Sequence, residues 1–334
     1  MNKKHLWLRL LLSGGLFLFL FYTIHPEDVI ELLAQSNPTY LLIAFLIAIG
    51  DRLIMACKWN LLLRAKALYL PWKNAIGAYW ISTFWGLFLP ATVGGDALRA
   101  YAVSKDGYRT ADVISSIVVE RILGFLALFL FVLCSVLLSI SVFGQNFLPG
   151  IWNLLWIFAA LLLFSLVAIY VSLNPLILHW VQAGLARWRR DWENHKIVGK
   201  LNEIYLSYLS YQGKKGMLML FVLLSLVENL FPLFWTYFLA LAFQIQVPLL
   251  YFFILVPIVL VLVRLPISID GVGLQEGAFV YFLALIGVAY SEALLLGVAS
   301  HILAILSVLP GGVLYSLNGL SFRSNIYTRS VEKV

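Results

Sequence analysis

The stretch "LPISIDGVGLQEG", Leu265 to Gly277, interrupts what would otherwise be one apolar run from Val247 to Val288. It does so with a proline, glycines and two carboxylates, Asp270 and Glu276. In lipid, backbone N–H and C=O groups left unpaired by such a break cost several kcal/mol each, so the break persists only against protein or a watery cavity. Whether the chain lies in a membrane therefore decides how this stretch is read.

The bulk composition answers that. Of 334 residues, 62% are hydrophobic and 12% charged, and the mean hydropathy is +0.94, far above what a water-soluble domain carries without aggregating. Several windows are long enough to cross a hydrocarbon core as helices, and none shows the alternation of an outer-membrane barrel. The sequence predicts an all-α polytopic membrane protein. Its longest polar insert runs only from about 173 to 216, so any chemistry must use the membrane domain. The net charge of +7 is gathered in a few loops rather than one nucleic-acid-binding patch. Cys57 and Cys134 are far apart and lack metal or disulfide spacing. No cofactor, metal or nucleic-acid partner is expected.

Full spans are predicted at 6–24, 39–57, 112–142, 151–172, 217–243 and 291–319, with shorter interrupted stretches at 75–103 and 249–288. The basic start of "MNKKHLWLRLLLSGGLFLFLFYTI" resembles a signal peptide, but no small-x-small cleavage site follows, so it reads as an uncleaved first span. If the interrupted stretches are re-entrant hairpins, all 23 Lys and Arg except Arg52, Arg121 and Arg264 fall in loops on one side, the cytoplasm, as do both termini. Lys58, Arg64, Lys66 and Lys73 share one such loop on this assignment. Eight full crossings give the same loop sides. The insert places Leu201, Ile204, Tyr205, Tyr208 and Leu209 at helical spacing. This fits either a helix lying on an anionic cytoplasmic leaflet or one capping the bundle.

A second stretch, "LPATVGGDALRAY" from Leu89 to Tyr101, has the same plan as the first. Each begins Leu-Pro after an apolar helix, passes two glycines and reaches a carboxylate, Asp96 or Glu276. Asp51 lies 39 residues before Pro90, and Glu228 lies 38 before Pro266. The chain is thus expected to consist of two inverted repeats, about 6–142 and 151–319. Gly/Pro-broken segments at matching positions of such repeats point to a transporter site near the midplane.

In each hairpin, Pro90 or Pro266 ends a helix, and Gly94 and Gly95, or Gly271 and Gly273, permit a tight turn and close approach of a ligand. The returning helix would turn its N-terminal N–H groups toward the tip, an arrangement suited to phosphate or carboxylate. Asp96 fits an N-cap as well as a ligand contact, Glu276 a first-turn carboxylate as well. Arg99, three residues after Asp96, is a candidate for a lipid phosphate. Glu120 and Arg121 are charged within a span, and, being adjacent, they require separate partners. Glu228 lies deep in its span. Arg264 could neutralise Asp270 or Glu276, and His301 is either a proton-relay group or hydrogen-bonded packing. Asp51 and Arg52 are placed near an inner span end, where they could snorkel. No nucleophile triad, His-x-x-x-His, Cys-x-x-Cys, dinucleotide fingerprint or Walker A motif is present, so an enzyme is not expected.

"FLPATVGGDALRAYAV", the following "SSIVVERILGF", and "LPISIDGVGLQEGAFVYFLALIGV" together resemble the flippase-like integral membrane family that includes the membrane domain of lysylphosphatidylglycerol synthase/flippase proteins. The likeness covers roughly residues 10 to 320. It implies a fold with re-entrant segments that moves aminoacylated, polyprenyl-linked or other lipids between leaflets of a bacterial or archaeal plasma membrane. Transferred position by position, it marks Pro90, Gly94, Gly95, Asp96, Arg99, Glu120, Arg121, Pro266, Ser268, Gly271, Gly273 and Glu276. Unlike synthase members, this sequence has no cytoplasmic aminoacyltransferase domain. The expected partners are a membrane lipid substrate, an anionic lipid surface and, on one reading, a lipid-synthesising enzyme. A carrier for a small soluble anion and a noncatalytic partner of such an enzyme remain the alternatives.

Overall fold

The computed structural model describes residues 34–88, 93–144, 150–174, 196–265, 268 and 271–318. The expected first span at 6–24, Pro90, Pro266, Asp270 and the start of the polar insert lie outside the described residues. Among the described residues there are helices and no strand.

Helix α1, Pro38–Ala65, begins where the Asn37 side chain accepts the Thr39 N–H at 3.0 Å and proline occupies the first turn. It runs eight residues beyond the predicted end at 57, because "KWNLLLRA" contains no glycine or proline to stop it. This overturns the loop assignment of Lys58, which lies inside the helix and is 4% exposed. It also moves Asp51 and Arg52 from the span end to its middle.

Helices α2, Trp72–Gly86, and α3, Val93–Lys105, pack on each other. A Cβ on Gly95 would lie 2.4 Å from the Ser82 carbonyl oxygen, so glycine here lets the two helices close backbone to backbone. Helix α4, Thr110–Phe143, follows, then α5, Ile151–Ser172, which packs chiefly on α4 and buries only Ile151 and Phe158. Many of its other apolar side chains, Trp156, Phe164 and Tyr170 among them, are exposed, as suits a helix facing lipid.

Helix α6, Lys196–Leu209, continues through a 3₁₀ turn, Ser210–Lys214, into α7, Lys215–Glu228, and α8, Leu230–Ala242. Of the two placements open for the insert, α6 takes the packed one at its C-terminal half. Ser207 donates to Asp112 at 2.6 Å, the Tyr205 hydroxyl donates to the Ser172 carbonyl at 3.0 Å, and Lys66 reaches Ser207 and pairs with Asp112 at 3.5 Å. Leu201 and Leu206 remain exposed.

The predicted span 217–243 is broken at Asn229. Pro232 has no N–H for the Glu228 carbonyl four residues earlier, so the helix loses a bond beside its one buried carboxylate. Helices α9, Leu249–Arg264, and α10, Leu274–Ala284, flank the opening motif, and α11, Tyr290–Asn318, closes the described chain. Among the described residues five stretches are long and apolar enough to cross a membrane: Pro38–Ala65, Thr110–Phe143, Ile151–Ser172, Val198–Ala242 and Tyr290–Leu317. The chain is a multi-pass integral membrane protein.

Two cores share α1. Its first half packs Ala44 and Ala48 against α8 to α11, with Leu233, Phe252, Phe279 and Leu296 buried. Its second half packs Trp59 and Leu63 against α2, α3 and α4. Between these cores the polar residues collect.

Candidate functional site

A cavity of about 380 Å³ lies where the two cores meet, with walls from α1, α2, α3 and α4 on one side and α7 to α11 on the other. It contains eight residues singled out in the sequence: Gly95, Asp96, Arg99, Glu120, Arg121, Glu228, Arg264 and His301. Asp51 and Arg52 line it too. Gly94, Ser268, Gly271, Gly273 and Glu276 do not line it, and Asp270 lies outside the described residues.

The first motif builds a charged knot. Helix α3 begins at Val93, so Asp96 is inside the first turn and is not its N-cap. Asp96 instead accepts from Arg99 Nη2 at 3.0 Å and from Arg121 Nε at 2.9 Å. Arg99 Nη2 also donates to Glu120 Oε2 at 2.6 Å, and the Tyr79 hydroxyl donates to Glu120 Oε1 at 3.0 Å. Glu120 and Arg121, on different faces of α4, thus find the separate partners that adjacency requires. Arg99 is 2% exposed, and its guanidinium carbon lies 4.5 Å from the Trp59 ring and 4.6 Å from that of Tyr79. Two carboxylates and two aromatic faces offset the desolvation of one cation.

The second motif is built differently. Gly271 and Gly273 both have φ +79, a backbone conformation glycine adopts without strain. Glu276 then caps the helix start from its first turn, accepting the Gly273 N–H at 2.7 Å with Oε2 while Oε1 meets His301 Nδ1 at 2.9 Å. The first N–H groups of α10 are therefore already engaged: Gly273 by Glu276, and Leu274 and Gln275 by the Gly271 carbonyl. These three N–H groups are thus taken up within the chain and are not free for the anion expected at this helix start. Glu276 stands behind His301 and does not meet Arg264, whose guanidinium lies 5.7 Å from the Phe125 ring.

Three features of the site escape a sequence reading. Lys58 is paired with Glu228 and donates to Ser225 at 2.9 Å, over the Phe221 ring at 4.9 Å. Its only signal was the lack of a helix breaker between Asp51 and Arg64. Tyr79 carries no pattern that distinguishes it from other aromatics of α2. Ser300 accepts from Trp235 at 3.2 Å through a fold-dependent contact. Asp51, 3% exposed, is 3.8 Å from Arg52 Nη1, while Arg52 Nε donates to Ser307 at 2.9 Å.

Comparison with known proteins agrees with this architecture. A UPF0104 membrane protein of Methanocaldococcus jannaschii is 28% identical over 233 residues, 66% of this chain and 68% of the relative. No solved structure matches. The family model described as the lysylphosphatidylglycerol synthase TM region matches residues 6–312. That match takes in α1 to α10, most of α11 and the whole cavity wall, and the chain belongs to the lysylphosphatidylglycerol synthase transmembrane-region family.

Proposed function

We propose that this chain moves a phospholipid or a lipid-linked phosphate between the leaflets of a prokaryotic plasma membrane. The head group crosses through the cavity while the acyl chains stay in lipid. The observation that carries this reading is a 380 Å³ cavity with charged walls inside an apolar multi-pass bundle. Charged side chains in such a place are expensive and mark a pathway. The volume is at the small end for ligand sites, suited to a head group without its chains. Exposed Arg121, Phe125 and Arg264 at its rim, between α4 and α9, support access from the side.

In this reading the chain is an inverted repeat with two re-entrant hairpins, α2–α3 and α9–α10. Exchanging α1 with α7–α8, α2 with α9, α3 with α10 and α4 with α11 carries observed contacts onto observed contacts. The contact of α2 with α11 answers that of α9 with α4, and that of α1 with α11 answers that of α7 with α4. Within the site, Asp96, Arg99, Glu120 and Arg121 form the wall that the head group passes. Glu228 and the Glu276–His301 pair are the coupling groups, and Gly271, Gly273 and Ser268 shape the second hairpin.

The test is reconstitution into liposomes with fluorescent phospholipids in both leaflets, followed by dithionite bleaching of the outer leaflet. Bleaching beyond half of the label is expected for the protein and not for empty liposomes. If no phospholipid or isoprenyl phosphate crosses faster than in empty liposomes, this function is rejected.

A further inference from the structure

The cavity wall carries five permanent cations, Arg52, Lys58, Arg99, Arg121 and Arg264, against four carboxylates, Asp51, Asp96, Glu120 and Glu228. Lys58 is matched by Glu228, Arg99 by Glu120 and Asp96, and Arg121 by Asp96, while Arg52 lies beside Asp51. Arg264 has no hydrogen bond or ion pair among the described residues; it stacks on Phe125. Arg121 and Phe125 are four residues apart on α4 and so share a face, and both line the cavity together with Arg264. Among the described residues of the wall five cations face four carboxylates, and Arg264 is the cation left without a carboxylate partner there. Among the described residues of this stretch the acidic side chain is Glu276, and it is committed to Gly273 and His301.

We propose that Arg264, with Arg121 across the rim, is the anion-binding site of the cavity, and that the ligand it takes is a phosphate ester. This deepens the flippase reading and rests on it for the lipid source of the phosphate. A planar guanidinium matches two phosphate oxygens at once, and the surplus charge is met by one negative charge from the ligand. Arg99, which the sequence nominates for this contact, is 2% exposed and bonds two carboxylates through Nη2, which holds α3 against α4. A head group without phosphate gains nothing at Arg264 and is excluded.

The experiment compares phosphatidylglycerol, phosphatidylcholine and a neutral glucosyl diacylglycerol, all fluorescent, in liposomes bearing wild type, Arg264→Gln or Arg264→Lys. In parallel, binding of dihexanoyl phosphatidylglycerol and of glycerol phosphate to the detergent-purified protein is measured by calorimetry. Wild type is expected to move both phosphate lipids and not the glucolipid. Arg264→Gln should reduce transport and short-chain lipid affinity at least about 10-fold with an unchanged melting temperature, and Arg264→Lys should recover part of both.

Binding of dihexanoyl phosphatidylglycerol that depends on Arg264, without transport of any lipid, supports the anion site while rejecting the flippase reading. Binding of glycerol phosphate alone supports the site and assigns a soluble phosphate as its source. Equal movement of the glucolipid, or unchanged transport and affinity in Arg264→Gln, overturns the proposal. So does recovery of a lowered melting temperature by combining Arg264→Asp with Asp270→Arg, which would assign Arg264 to a structural pair.

Discussion

The two hairpins are fastened to their following helices by opposite chemistry. Helix α3 is tied to α4 by guanidinium and carboxylate groups that face the cavity, Arg99 bridging Asp96 and Glu120 while Arg121 shares Asp96. Helix α10 is tied to α11 by a single carboxylate shared between a backbone N–H and a histidine, with Gln275 donating to the Gly297 carbonyl at 3.2 Å. The first tie depends on permanent charge and the second on local backbone satisfaction. Removing a member of the first strands charges in a region poor in water, whereas weakening the second removes bonds that helix α10 can partly replace.

The largest test of that contrast is Arg99→Met. It leaves Glu120 with only Tyr79 and Asp96 with only the half-exposed Arg121. The expected loss is about 3–5 kcal/mol, the range for breaking one side of a buried ion pair, read as a collapse of the melting temperature in detergent. A smaller loss is expected from Gly95→Ala, about 2–3 kcal/mol, because the new Cβ meets a backbone carbonyl that cannot rotate away. Gly271→Ala meets only the Val263 side chain, at 2.8 Å, and should cost about 1–2 kcal/mol, mostly for the φ of +79. Equal melting temperatures for the two glycine variants would break the comparison. Glu276→Gln retains an acceptor for Gly273 or for His301 and should cost about 1–2 kcal/mol. Gly277→Ala, whose Cβ meets nothing within 4 Å inside α10, should stabilise by about 0.5–1 kcal/mol; a fall in melting temperature would show that α10 packs more tightly than its contacts indicate.

Much of the site was legible because charge within apolar sequence is costly and therefore informative. Asp96, Arg99, Glu120, Arg121, Glu228, Arg264 and His301 all meet at one cavity. The helix boundaries 151–172 follow directly from apolar length and flanking breaks. What was lost follows from two physical causes. Positive charge was taken as a loop signal, which misplaced Lys58, although a lysine paired with Glu228 is stable inside a helix. Local backbone bonding was also invisible: the Asn229 break depends on the missing N–H of Pro232, and the bond from the Gly273 N–H to Glu276 on a turn geometry that composition does not specify. Glycine was read as a turn former in both motifs. At Gly95 it serves as a packing surface, since helix α3 has already begun.

One close contact has a mechanical consequence. A Cβ on Gly311 would sit 2.1 Å from the Trp80 carbonyl oxygen, and one on Gly312 would sit 2.8 Å from the Phe84 ring, so α2 rests directly on the backbone of α11. Backbone seated on backbone has few soft degrees of freedom, and α2 and α11 behave as one plate. At the rim between α4 and α9 the joint is a flexible arginine laid over a phenylalanine ring. A change in the width of the cavity would therefore be taken up between α4 and α9 and not at the seam of α2 with α11.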